Sequence, residues 1–286
     1  MPTFAHPEPA RPRVRLRPVF LPRAGCPGLC VFCDQARQSG RPETPLAEAY
    51  ERLAVDLARA AEAGGRPCEL GLFGGTFTAL PEPWIERFLA LAAEYRRRGL
   101  ITRVRCSTRP DAVPAGLLGR LKSLGLDAVE LGVQSFDDAA LAACCRGHDG
   151  SAARQGCRAV RAAGLDLVIQ LLPGLPGDRP GLFAADVAAA VAESPAGVRL
   201  HPCLVLAGTG LAERFARGEY APWDLGRARI SRPRNSGTAA SLPPTTRAWA
   251  LGPARSSSRT GGTSAWNERG PGRPATAAVA GSARRR

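Results

Sequence analysis

The chain has 286 residues and a formal net charge of +14, and no apolar run in it is long enough to span a bilayer. The charge is concentrated at one end. Residues 227–286 carry twelve arginines and one acid, Glu268 (+11), leaving 27 bases and 24 acids (+3) for residues 1–226. The balance of the larger part therefore does not mark a nucleic-acid-binding surface, and the proline-rich start, Met1 to Ala10, lacks the apolar core of a secretion signal. The expected location is the cytoplasm, where thiols stay reduced.

Residues 1–13 read as an extension, after which strand-like and helix-like segments alternate to about residue 220. Val14–Leu21 predicts a strand that leads into a cysteine loop. Thr44–Ala63 predicts a helix with Thr44 as N-cap, Pro45 in the first position and Gly64-Gly65 as the stop. Cys68–Phe73 is a second strand ending at Gly74-Gly75, and Pro83–Arg98 an amphipathic helix. Ile101–Cys106 and Pro114–Ser123 form the next strand and helix. Ala128–Val133 follows as a strand, then helices over Asp138–Cys145, with Asp137 as cap, and Ala152–Ala163. Leu165–Leu172 reads as a buried parallel strand, being almost continuously apolar. Phe183–Glu193, Val198–Val205 and Leu211–Ala216 complete the series as helix, strand and helix.

Six strands alternating with helices predict the α/β class: parallel βα units curved into a partial (β/α)6 barrel of the TIM type, over residues 14–226. Chemistry on such a fold belongs at the carboxyl ends of the strands. Five polar or glycine-rich segments fall there: Cys26–Cys33, Gly74–Thr76, Ser107–Arg109, Gln134–Ser135 and Pro173–Gly177.

The first of these holds the most specific signal. Cys26, Cys30 and Cys33 form a C-x₃-C-x₂-C spacing. An iron–sulfur cubane usually takes four thiolates, so three leave one iron open to a further ligand. A structural zinc site wants four ligands, and the next candidates are Cys68 and His6. Nine cysteines is an odd count, and the other six lie in mostly apolar runs, as buried reduced thiols do.

Residues 227–286 contain only Ile230, Leu242, Leu251 and Val279 as strong core formers, too few for a core, and read as a disordered basic tail. Two origins stand side by side: a basic arm that touches nucleic acid, or out-of-frame translation of GC-rich coding DNA, which the near-exclusive use of arginine over lysine (Lys122 alone) also suggests. The second implies a copy that has lost a C-terminal segment.

Together with the cysteine loop, the strings Phe73-Gly-Gly-Thr-Phe-Thr, Ser107-Thr-Arg-Pro-Asp111, Glu130-Leu-Gly-Val-Gln-Ser135, Arg146-Gly-His148, Gln170-Leu-Leu-Pro-Gly-Leu-Pro-Gly177 and Arg199-Leu-His-Pro202 give a resemblance. The chain resembles the radical S-adenosylmethionine superfamily over about residues 15–223. Within it, it is similar to the group of the Elongator catalytic subunit and, more distantly, to oxygen-independent coproporphyrinogen oxidases. The resemblance implies a 4Fe–4S cluster on Cys26, Cys30 and Cys33, with S-adenosylmethionine chelating the fourth iron and cleaved reductively to a 5′-deoxyadenosyl radical. It implies Phe32 against the adenine, Gly74, Gly75 and Thr76 near the methionine ammonium, Gln134 on the ribose hydroxyls and Arg146 on the methionine carboxylate. Ser107, Arg109, Asp111 and Glu130 fall around the same pocket. His201 stands where many Elongator-like relatives have tyrosine, and Ala207 where they often carry a base. The resemblance also implies a one-electron donor such as a flavodoxin or ferredoxin. Its substrate is unknown, transfer RNA being one candidate. A zinc-stabilised or nucleic-acid-binding protein without catalysis, and an inactive truncated copy, are the alternatives.

Overall fold

The computed structural model describes residues 14–40, 43–224 and 247–249. The extension 1–13 and the remainder of the expected tail lie outside the described residues. Seven strands form one parallel sheet in sequential order: β1 (Arg15–Leu21), β2 (Cys68–Gly74), β3 (Ile101–Thr108), β4 (Ala128–Gln134), β5 (Asp166–Leu171), β6 (Gly197–Leu200) and β7 (Arg247–Trp249). The sheet is open, because β1 and β7 are its edges and do not pair with each other. Six strands and the partial-barrel order follow the sequence reading. The short β7 does not, since residues 247–249 lie in the segment expected to be disordered. Only the backbone ladder to β6 reveals it, because three residues carry no periodicity to read.

The helices are α1 (Gln35–Ser39), α2 (Leu46–Glu62), α3 (Trp84–Arg97), α4 (Ala115–Ser123), α5 (Asp138–Ala143), α6 (Gly150–Ala162), α7 (Leu182–Ala192) and α8 (Gly210–Ala216). Their buried residues recur at helical spacing: Ala49, Leu53 and Leu57 on α2, or Ala153, Cys157 and Val160 on α6. These faces cover the apolar side of the sheet, where Leu70, Leu72, Val104, Cys106, Val129, Leu131, Leu167 and Ile169 form the core. Fully burying each such side chain contributes about 1.5–3 kcal/mol. A smaller cluster of Cys144, Leu175, Cys203, Leu211 and Tyr220 lies against Val31 and Phe32 of the cysteine loop.

Three local expectations are corrected. The α2 helix starts at Leu46 with Pro45 as its cap residue, so neither Thr44 nor Pro45 takes its expected position. The last core strand is expected to run to Val205 and stops at Leu200, although His201 N–H and Cys203 N–H still donate to Leu171 O and Pro173 O, both at 3.0 Å. The α1 turn was not anticipated; Asp34 caps it by accepting from the Arg37 N–H at 2.9 Å, and Gly40 ends it in the left-handed region. Asp137 does cap α5, accepting from the Ala140 N–H. No helix among the described residues is long and apolar enough to cross a membrane.

Candidate active site

Because all strands are parallel, the loops after β1 to β5 leave one edge of the sheet together. In the first, Cys30 is buried and Cys26 and Cys33 are half-buried. The loop is wound by its own backbone, with Cys26 N–H donating to Arg23 O and Cys33 N–H to Cys30 O, both at 3.0 Å. It is fixed from outside by Val31, whose N–H donates to Cys144 O (3.1 Å) and whose carbonyl accepts from Leu211 N–H (2.7 Å).

The three thiols share one electrostatic environment. Burial, followed by the neighbouring Cys30 and Cys26, pushes the Cys33 thiol up to about 11 against the opposing charges of Arg146 and Arg23. The Arg146 guanidinium, 8% exposed, donates from Nη1 to Cys30 Sγ at 3.3 Å and from Nη2 to Gly132 O. Its Nε is buried without a partner. Among the described residues no three Cys, His, Asp or Glu side chains converge closely enough for a single metal ion.

The glycine motif serves the chain itself. A Cβ on Gly75 would fall 2.5 Å from Ala24 N and 2.7 Å from Ala24 C, and one on Gly74 (φ +106°) 2.7 Å from Leu21 O. The absent side chains let the end of β2 lie directly on the backbone that enters the cysteine loop, through Gly75 N–H to Leu21 O (2.9 Å) and Thr76 N–H to Ala24 O (2.7 Å). Thr76 is fully buried, with Oγ1 3.3 Å from Cys26 Sγ.

At the end of β4, Gln134 takes a left-handed conformation (φ +71°), and its Oε1 is buried without a partner. Phe32 is half-buried against the Cys144–Tyr220 cluster. Arg109, 5% exposed, makes two bonds to Asp111, from Nε at 2.8 Å and Nη2 at 2.6 Å. Burial raises the Asp111 carboxyl, and the Arg109 bonds and charge outweigh it, so the carboxyl titrates below its usual range. Glu130 is fully buried, with Oε1 3.2 Å from Arg105 and 3.3 Å from Arg199, and Oε2 accepting from Gln170 at 3.1 Å. His201 lies beside Arg199; burial and that charge lower its pKa.

The structure thus brings Cys26, Cys30, Thr76 and Arg146 into direct contact pairs, places Gly74 and Gly75 under the loop, and leaves the Gln134 side-chain Oε1 without a partner at the end of β4. Sequence reasoning missed Asp186, whose carboxylate organises the residues after Gln134. Its signal was a single acid inside the otherwise apolar run of α7.

The sheet order, the thiol loop and the match of the Radical SAM superfamily to residues 21–182 define the class: the chain belongs to the radical SAM superfamily of enzymes. It is 30% identical over 236 residues to the tRNA uridine(34) acetyltransferase of Dehalococcoides mccartyi, covering 70% of this chain and 51% of that one. To the protein of the same name from Methanocaldococcus infernus it is 31% identical over 240 residues, covering 70% and 45%. Among solved structures, the archaeal Methanocaldococcus infernus Elp3 lacking residues 1–46 superposes with a TM-score of 0.52 at 26% identity, over 61% of this chain and 46% of that one. Coproporphyrinogen III oxidase from Escherichia coli, at 20% identity and TM-score 0.56 over 75% and 49%, shares the fold. The chain spans about half the length of the curated relatives it matches.

Proposed function

We propose that residues 14–226 form a catalytic domain in which Cys26, Cys30 and Cys33 hold a 4Fe–4S cluster and Gln134, with Arg146 and Phe32, receives S-adenosylmethionine. When bound, the cluster supplies the electron that splits the sulfonium into methionine and a 5′-deoxyadenosyl radical.

The residues fit these groups. The three thiols come from one loop, and Cys30 and Cys26 lie near enough to Cys33 to raise its pKa, as ligands of a single cluster must lie. Arg146 donates toward Cys30 and Thr76 lies against Cys26; donors to ligating sulfurs stabilise their thiolates and tune the redox potential. The Gln134 amide both donates and accepts, which suits a vicinal diol. Its buried, partnerless Oε1 is the observation that carries the cofactor reading, because a buried carbonyl without a donor costs about 1–3 kcal/mol until something supplies one.

The curated relatives are named for tRNA uridine acetylation, which supports a transfer RNA as the substrate class. A cytoplasmic setting and a flavodoxin- or ferredoxin-like electron donor complete the proposal. Anaerobic reconstitution should give a brown protein with about four irons per chain, and dithionite with S-adenosylmethionine should then release 5′-deoxyadenosine. Cys30→Ser should lose both. A colourless protein, or a loaded cluster with no 5′-deoxyadenosine, refutes the reading.

A further inference from the structure

Gln134 holds its left-handed backbone at a cost that a glycine would avoid, about 1–2 kcal/mol for an ordinary residue. The pairing of β4 with β5 shifts between Leu131 and Gln134, and the Gln134 carbonyl accepts from Leu172 N–H at 2.9 Å. Something must therefore hold the following residues. Asp186, in the middle of α7 and 7% exposed, accepts from Ser135 Oγ at 3.0 and 2.8 Å and from Phe136 N–H at 2.7 Å. The Ser135 hydroxyl in turn accepts from Asp137 N–H at 3.1 Å. One buried carboxylate thus gathers the two residues that follow Gln134. It is brought there by a helix that is otherwise nearly all apolar. Burial of that carboxylate is itself unfavourable and raises its pKa, which the N–H and hydroxyl donors counter.

Strain at Gln134, a buried acid beside it and an unsatisfied amide oxygen are three separate costs at one turn. A loop that merely connected β4 to α5 would need none of them. We infer that Asp186 is a positioning residue: through Ser135 and the Phe136 N–H it fixes the left-handed turn that presents the Gln134 amide to the ribose diol of a bound S-adenosyl nucleoside, without touching that nucleoside. The inference rests on the cofactor reading above.

The test is equilibrium binding of two probes to the anaerobically reconstituted protein: S-adenosylhomocysteine and its 2′-deoxyribosyl analogue. The wild type should prefer the ribose form by about tenfold, the worth of one or two well-placed hydrogen bonds. Asp186→Asn should reduce that preference to about twofold while the affinity for the deoxy probe holds. Ser135→Ala, which keeps the carboxylate and its backbone bond, should lower the preference by a smaller factor, and serves alone if Asp186→Asn does not fold. In a Gln134→Ala background either change should leave the preference where Gln134→Ala put it. Equal weakening of both probes makes Asp186 a general support of the fold and overturns the inference, as does an undiminished preference. A wild type that binds neither probe overturns the cofactor reading, and the inference with it.

Discussion

Gly75→Ala tests how the cysteine loop is seated. Its Cβ would lie 2.5 Å from Ala24 N, 2.7 Å from Ala24 C and closer still to the Ala24 carbonyl. All three are backbone atoms, two residues before Cys26, so no rotamer change relieves the clash. Either the loop lifts or the end of β2 retreats. Overpacking costs about 1–3 kcal/mol, and the displaced bonds Gly75 N–H to Leu21 O and Thr76 N–H to Ala24 O add about 1 kcal/mol each. The sum, about 3–5 kcal/mol, corresponds to a melting temperature lower by about 10 °C for a chain of this size. Iron loading should fall in parallel, because the loop that moves carries the thiols. Gly116→Ala, at an exposed position in the first turn of α4 with open space at its Cβ, is the control and should melt within about 2 °C of wild type. The assay is a thermal melt of the apoprotein followed by iron determination after anaerobic reconstitution. A Gly75→Ala protein that melts within about 2 °C of wild type and takes up full iron refutes the argument.

Phe88 is fully buried and meets Tyr50 edge-on at 5.6 Å, with Phe77 and Trp84 beyond; Phe88→Ala should cost about 3–5 kcal/mol in urea unfolding. Burial first, and then Arg146, lower the His148 pKa from 6.5 to about 4. The native state resists a proton that the unfolded chain accepts, so stability should fall as pH drops from 6.5 toward 4. His148→Asn should flatten that slope, and an unchanged slope counts against the argument. Asp111 has the depressed carboxyl of an arginine-paired acid. Its contribution is therefore present above the unfolded value of 3.8 and lost as pH falls through the lower folded value. Asp111→Asn should destabilise the protein at pH 7, by an amount that shrinks as pH falls through the acid range, as chemical denaturation across that range would measure.

Several core strands were legible because a buried parallel strand is a short, largely apolar run closed by glycine or a polar turn, as at Cys68–Gly74 or Asp166–Leu171. That pattern is local and needs no partner to be read. The thiol loop was legible for the same reason, its spacing lying within eight residues. Strand ends were less legible: the apolar run that predicts β6 continues to Val205, whereas the strand ends at Leu200. Gly74 and Gly75 were readable as glycines but not as to purpose. Their bareness admits the Ala24 backbone, a contact between segments some fifty residues apart. Arg146 against Cys30, 116 residues away, and Asp186 against Ser135, 51 away, depend on folding alone. Sequence periodicity records which face of an element is apolar. It does not record which buried charge meets which donor, because those pairings are decided by the register of the sheet and by the cost of leaving a buried polar group alone.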